Sequence, residues 1–145
     1  MSRVLKIFAA ASVVFSALVP SVSLAQDGQL SLQLNTSAQI DANTCRLTYV
    51  AFNGTQTPLA QMEYEFGTFD ADGGVVGLLL LKFGELPPGK TRILQFGLPN
   101  TQCSNVSRIV VNKMAACVDA TTGQSTDLCI TALNASTRIP IVFDL

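Results

Sequence analysis

Apolar and polar residues alternate with a period of two along most of this chain, a pattern that suits half-buried strands and fits no amphipathic helix. Leu30, Leu32, Leu34, Ala38 and Ile40 interleave with Ser31, Gln33, Asn35, Ser37, Gln39 and Asp41. One parity belongs on a buried face and the other in water, in one strand or in two joined by a bend near Thr36. Cys45, Leu47, Tyr49 and Ala51 share one face of a second strand, with Val50 and Phe52 pointing the other way. Asn53-Gly54 ends that strand, since both residues tolerate positive φ. Met62, Tyr64 and Phe66 alternate with Glu63, Glu65 and Gly67 in a third, closed by the turn Asp70-Ala71-Asp72-Gly73-Gly74. Val75 to Phe83 is nearly continuous apolar sequence and reads as a strand buried on both sides. Pro87-Pro88-Gly89 ends this segment, because proline cannot donate to a ladder and glycine suits the turn. Arg92 to Leu98, Val106 to Val111 and Arg138 to Phe143 bring the total to about seven or eight strands. Only Lys113 to Ala120 and Thr126 to Asn134 have room for a helical turn. Turn signals roughly every ten residues predict an all-β, two-sheet antiparallel sandwich, at least about 35% strand and below about 15% helix.

The N-terminus sets the compartment. Arg3 and Lys6 precede the apolar run Ile7 to Leu18, and Ser23-Leu24-Ala25 places small residues at the −3 and −1 positions of a cleavage site. Residues 1–25 therefore read as a secretory signal peptide, and residues 26–145 as one domain starting at Gln26. The rival reading is an uncleaved N-terminal anchor, but the run is short for a membrane span and no stop-transfer segment follows. The expected location is the periplasm or the extracellular space, with no membrane span after cleavage. Four sequons, at Asn35, Asn53, Asn105 and Asn134, would matter only where a glycosylation pathway exists.

All four cysteines, Cys45, Cys103, Cys117 and Cys129, lie in the exported part, where oxidising conditions favour disulfides. Cys117 and Cys129 flank a polar loop that a local bridge would staple, worth about 3 kcal/mol in the loop-entropy description. Cys45 opens one strand and Cys103 precedes another, so the preferred second pair is Cys45 with Cys103, worth about 4 kcal/mol. Zinc is the rival for these thiols. No Cys-x-x-Cys pair and no histidine exist to support it.

Removing Arg3 and Lys6 leaves seven basic residues against ten acids, a net charge near −3, which gives no electrostatic reason to bind nucleic acid or anionic lipid. The lack of histidine removes the commonest general base and the usual triads. Glu63 and Glu65 could do acid–base work in principle, but a solvated, charged strand that resists edge aggregation is the simpler reading. Asp70-x-Asp72-Gly73 resembles the start of a calcium loop, yet Gly74, Val75 and Leu81 stand where that loop needs an acid or amide, a glycine and a glutamate. Arg92, Arg108 and Lys113 could converge after folding, with scattered surface charge as the alternative. Tyr49 and Tyr64 are expected to face the core. No residue set calls for a catalytic centre, a cofactor or a metal.

The stretch Val50-Ala51-Phe52-Asn53-Gly54-Thr55, then Met62 to Phe66, then Phe69-Asp70-Ala71-Asp72-Gly73, then Leu86-Pro87-Pro88-Gly89-Lys90-Thr91, resembles the immunoglobulin-like FxLYD-type domains of bacterial exported proteins. It is also similar to small alphaproteobacterial exported proteins. The resemblance covers about residues 46 to 98 and implies an immunoglobulin-like sandwich without transferable catalytic residues. The four cysteines and the segment after Cys103 depart from the simple pattern. The expected function is a non-enzymatic module acting through contacts with a protein partner whose identity, like the oligomeric state, the sequence leaves open. The alternative is a self-assembling fimbrial or coat-type subunit that exchanges a strand through residues 30–40. An enzyme or small-ligand binder is the third class, sustained only by the carboxylates.

Overall fold

The computed structural model of this protein describes residues 28–145; the expected signal peptide and the Gln26 start lie outside the described residues. Eight strands form two sheets: β1 (Leu30–Asp41), β2 (Thr44–Asn53), β3 (Leu59–Phe69), β4 (Val75–Lys82), β5 (Thr91–Pro99), β6 (Arg108–Asp119), β7 (Leu133–Thr137) and β8 (Val142–Asp144). One sheet has the order β5-β2-β1-β7 and the other β4-β3-β6-β8. Strand accounts for 61% of the described residues and helix for 6%, within the expected bounds. The division of the first, second and fifth strands from the third, fourth and sixth is that of an immunoglobulin-like sandwich.

The last two strands depart from the antiparallel expectation. β7 runs parallel to β1, and β8 runs parallel to β6. The C-terminal segment thus crosses from one sheet to the other. Pro140, which has no N–H to give a ladder, sits in the crossing. Arg138 to Ile141 accordingly form bends, and only the end of the expected Arg138–Phe143 strand survives as β8. Lys113 to Ala120 holds no helix: through Asp119 it continues β6 across from β3. Thr126 to Asn134 does contain one short turn, α1 (Leu128–Thr131).

Alternation places the core where the sequence puts it. Leu30, Leu32 and Leu34 of β1, Cys45, Leu47, Tyr49 and Ala51 of β2, and Met62, Tyr64 and Phe66 of β3 are all buried. β1 shifts register between Leu34 and Thr36, at the expected bend, and beyond it Ala38 and Ile40 are exposed rather than buried. The register break reverses the parity of β1, so beyond the bulge Ser37 and Gln39, opposite the buried Leu47 and Cys45, take the inner side and Ala38 and Ile40 the outer. At the centre, the Tyr49 ring meets Phe66, Phe83, Phe96 and Phe143 with centroids 5.6, 5.8, 6.1 and 5.6 Å away. Three of these pairs are edge-on, the geometry that lets a positive ring edge approach a negative face. Burial pushes the Tyr49 and Tyr64 hydroxyls well above the ordinary tyrosine range.

Both disulfides pair as expected. Cys45–Cys103 links the start of β2 to the short 3-10 turn after β5, and Cys117–Cys129 links β6 to α1. Asn53-Gly54 ends β2 by a different device from the one expected, since neither residue adopts a positive φ. The fully buried Asn53 amide donates to the carbonyls of Thr57 and Leu86 at 2.9 and 2.8 Å and accepts from the Thr55 N–H and hydroxyl at 2.9 and 2.7 Å. Its side chain closes the turn that the backbone leaves open.

Candidate interaction face

The expectation that Val75 to Phe83 is buried on both sides is corrected by the structure. Among the described residues β4 is an edge strand whose one ladder partner is β3. Its inward side chains, Leu79 and Leu81, pack on the core, whereas Leu78 and Leu80 on the outward face are 61% and 53% exposed. A continuous apolar run carries no period, so sequence alone cannot separate a strand buried twice from one with a bare apolar face.

Leu78 does not stand alone. A Cβ built at Gly67 would meet Val110 Cγ2 at 3.3 Å, Phe69 Cε2 at 3.5 Å and Leu78 Cδ2 at 3.7 Å, so three side chains from three neighbouring strands close over that glycine. The Arg108 guanidinium lies 5.9 Å from the Phe69 centroid and is paired to Asp144 at 3.0 Å. Beside it, a shallow depression of about 390 Å³ lies between Phe69, Arg108 and the exposed Val142. The half of this sheet face nearer the Asp70 turn is mainly apolar, with Leu78 and Val142 exposed and Phe69 and Val110 half-buried, and is interrupted by the exposed Arg108–Asp144 pair; Leu80 lies at its border, opposite Glu65.

The other half is charged and internally neutralised. Glu63 pairs with Lys82 at 3.7 Å, and Glu65 with Lys113 at 3.4 Å while also accepting from the Asn112 amide. β3 lies between β4 and β6, so these glutamates do not guard a sheet edge as expected. Each carboxylate is held against a cation rather than presented to a substrate. Arg92, Arg108 and Lys113 do not converge: Arg92 donates to the carbonyls of Phe83 and Glu85, Arg108 serves Asp144, and Lys113 serves Glu65. Asp70 is a turn residue, its Oδ1 accepting from the N–H groups of Asp72 and Gly74 at 3.0 and 2.7 Å. Among the described residues no group of three or more potential metal ligands gathers. Of the sequons, Asn53 is consumed in the core, and Asn35 and Asn134 lie in strands.

The described residues present four sheet edges, and these differ in protection. β8 has three residues, β7 is Leu-Asn-Ala-Ser-Thr, and β5 carries Arg92 and ends at Pro99. Short length, polar side chains, charge and proline are the usual guards against edge pairing. β4 has none of them from Val75 to Leu81 and is guarded only at its ends, by the bulge between Val75 and Gly77 and by Lys82. A cleft of about 160 Å³ separates Gly77–Leu79 from Leu98 and Pro99, which leaves that edge unpaired by the facing sheet.

No family model and no curated protein matches this chain. Among solved structures, the chain is similar to one described as the structural characterization of IrmA from Escherichia coli, with a TM-score of 0.57 and 11% identity over 74% of this chain and 90% of that one. At that identity the likeness is one of fold: a sandwich of the same general build accommodates both sequences.

Proposed function

We propose that this protein is an exported, non-enzymatic immunoglobulin-like module of the periplasm or cell surface that works through protein contacts made by β4 and the adjoining outer face. The observation that carries the reading is the exposed apolar surface of Leu80, Leu78 and Val142, with the half-buried Phe69 and Val110 between them, placed beside a strand edge guarded only at its ends. Apolar surface of this kind, rimmed by charge, is characteristic of docking sites. Two disulfides in a chain of this size fit folding in an oxidising compartment. The ion pairs on Glu63 and Glu65 favour a structural role for both carboxylates. Resemblance to FxLYD-type domains supports the same class of module at the level of fold.

For the strand-donating alternative, the position of β1 is informative. β1 lies between β2 and β7, with Leu30, Leu32 and Leu34 in the core of its own sandwich, which favours an internal strand over a donated one. The test is site-specific photo-crosslinking in the exporting cell. A photoreactive residue at position 78 should give protein adducts, and one at position 33 on the opposite sheet should not. Adducts absent at 78, or equal at both positions, would refute the assignment of the face.

A further inference from the structure

We propose that Asn53-Gly54 is a deamidation site that reacts in the unfolded chain and is locked by the fold, and that a chain modified there is kept out of the native state.

The chemistry is local. The backbone nitrogen that follows an asparagine attacks the side-chain Cγ, so an N–Cγ bond forms, the Cγ–Nδ2 bond breaks, a solvent base takes the amide proton and ammonia leaves. Water then opens the five-membered succinimide at either carbonyl, giving aspartate or isoaspartate. Glycine hinders the attack least, because it has no Cβ beside the nitrogen and its backbone reaches the required geometry freely. Asn53 is the one asparagine of the sequence followed by glycine; the others precede Thr, Val, Lys or Ala.

Folding withdraws each requirement. Asn53 is fully buried, and its amide is fixed by the four hydrogen bonds to Thr55, Thr57 and Leu86. The nucleophile is engaged as well: Gly54 N–H donates to the Gln29 carbonyl at 2.8 Å, and the Gly54 carbonyl accepts from Gly28 N–H at 2.9 Å. On the other side, Asn53 N–H donates to the Lys90 carbonyl at 3.1 Å, and its carbonyl accepts from Gly89 N–H at 2.7 Å. The dipeptide therefore sits where the end of β2 is tied to the segments leading into β1 and β5. Bringing the Gly54 nitrogen onto Cγ means breaking these bonds together, which amounts to opening the turn.

The product does not fit the site. Aspartate at 53 sets an oxygen where Nδ2 now donates to the Thr57 and Leu86 carbonyls, so an acceptor faces two acceptors, and a carboxylate takes a place closed to water. Isoaspartate routes the main chain through the side-chain carbon and adds a methylene ahead of Gly54, which displaces its bonds to Gln29 and Gly28. Loss of ammonia makes the change one-way. A chain that folds keeps the amide; a chain that lingers unfolded loses it and with it the turn.

The experiment incubates the native protein, both disulfides intact, and the same protein reduced in concentrated guanidinium chloride, side by side at mildly alkaline pH. Peptide mass spectrometry follows each asparagine. Asn53 should react at least about a hundredfold faster unfolded than native, and in denaturant faster than Asn105, whose following Val106 shields the nitrogen. Gly54→Ala, read only in denaturant so that folding plays no part, should slow the reaction at 53 at least about tenfold. Asn53→Asp should melt at least about 5 °C lower than the parent, or fail to refold. A native rate within about tenfold of the unfolded one would overturn the lock. Reaction in denaturant no faster at 53 than at 105 would overturn the site, and an Asn53→Asp protein as stable as the parent would overturn the exclusion of the product.

Discussion

The Tyr64 hydroxyl donates to the Cys129 carbonyl at 2.6 Å, deep in the core, and so ties β3 directly to the helical turn that the second disulfide also holds. Tyr49, in the same core, has no hydrogen-bond partner for its hydroxyl among the described residues. The two tyrosines therefore make opposite predictions. Tyr64→Phe strands a buried carbonyl and should cost about 1–2 kcal/mol. Tyr49→Phe removes an unpaired buried hydroxyl and should be neutral or stabilising by up to about 1 kcal/mol. Urea unfolding of both variants checks the order; Tyr49→Phe as the more damaging change would contradict it.

Alkaline pH should weaken the fold through the same pair. Burial raises both tyrosine pKa values in the folded state, so the folded protein keeps protons that the unfolded chain releases near pH 10. This contribution is fully present below that pH and is lost as pH rises above it. Denaturation midpoints between pH 8 and about 11 should fall, and fall less steeply in the double Phe variant. A steeper fall in the double variant would show the coupling to be wrong.

Asn53 should be among the costliest polar positions. Its amide closes the turn after β2 and reaches Leu86, whose own N–H bonds Leu59 at 2.9 Å. Asn53→Ala removes four hydrogen bonds and leaves the buried Thr55 N–H without its acceptor, an expected loss of about 3 kcal/mol. Asn53→Gly should do no better, because the turn takes no positive φ there. Rescue by glycine would mean that backbone freedom, not the side chain, makes the turn.

The disulfides should fail differently. Replacing Cys117 and Cys129 by Ser opens a 12-residue separation and should cost about 3 kcal/mol, loosening α1 and the Tyr64 bond first. Replacing Cys45 and Cys103 opens a separation of 58 and should cost about 4 kcal/mol. Alkylation of the native protein without reductant, read by mass, should label no cysteine.

Strands, core and disulfide pairing were legible because each is written in local terms. Period two marks Leu30, Leu32 and Leu34 or Met62, Tyr64 and Phe66 for the interior wherever their strands lie. Cys117 and Cys129 flank one loop, and the positions of Cys45 and Cys103 at strand ends suggest the other bridge. What escaped depends on neighbours. Whether Leu78 and Leu80 are covered is decided by strand order, which no run of apolar residues encodes. Ala38 and Ile40 obey the alternation and are still exposed, since a register shift at Leu34/Thr36 intervenes. The parallel pairings of β7 and β8 likewise follow from a crossing between sheets, of which the sequence offers only Pro140 as a sign.

Amide exchange along β4 tests the central claim most directly, because Leu78 and Leu80 point their N–H groups to the open edge while Leu79 and Leu81 point theirs at β3. Isotopically labelled protein would be followed residue by residue, dilute in buffer and then in concentrated extract of the exporting cell's periplasm. The account predicts fast exchange at Leu78 and Leu80 in dilute solution, slowed at least about tenfold in the extract, with Leu79 and Leu81 slow in both. Unchanged exchange at Leu78 and Leu80, or new protection confined to the β5-β2-β1-β7 sheet, would contradict it.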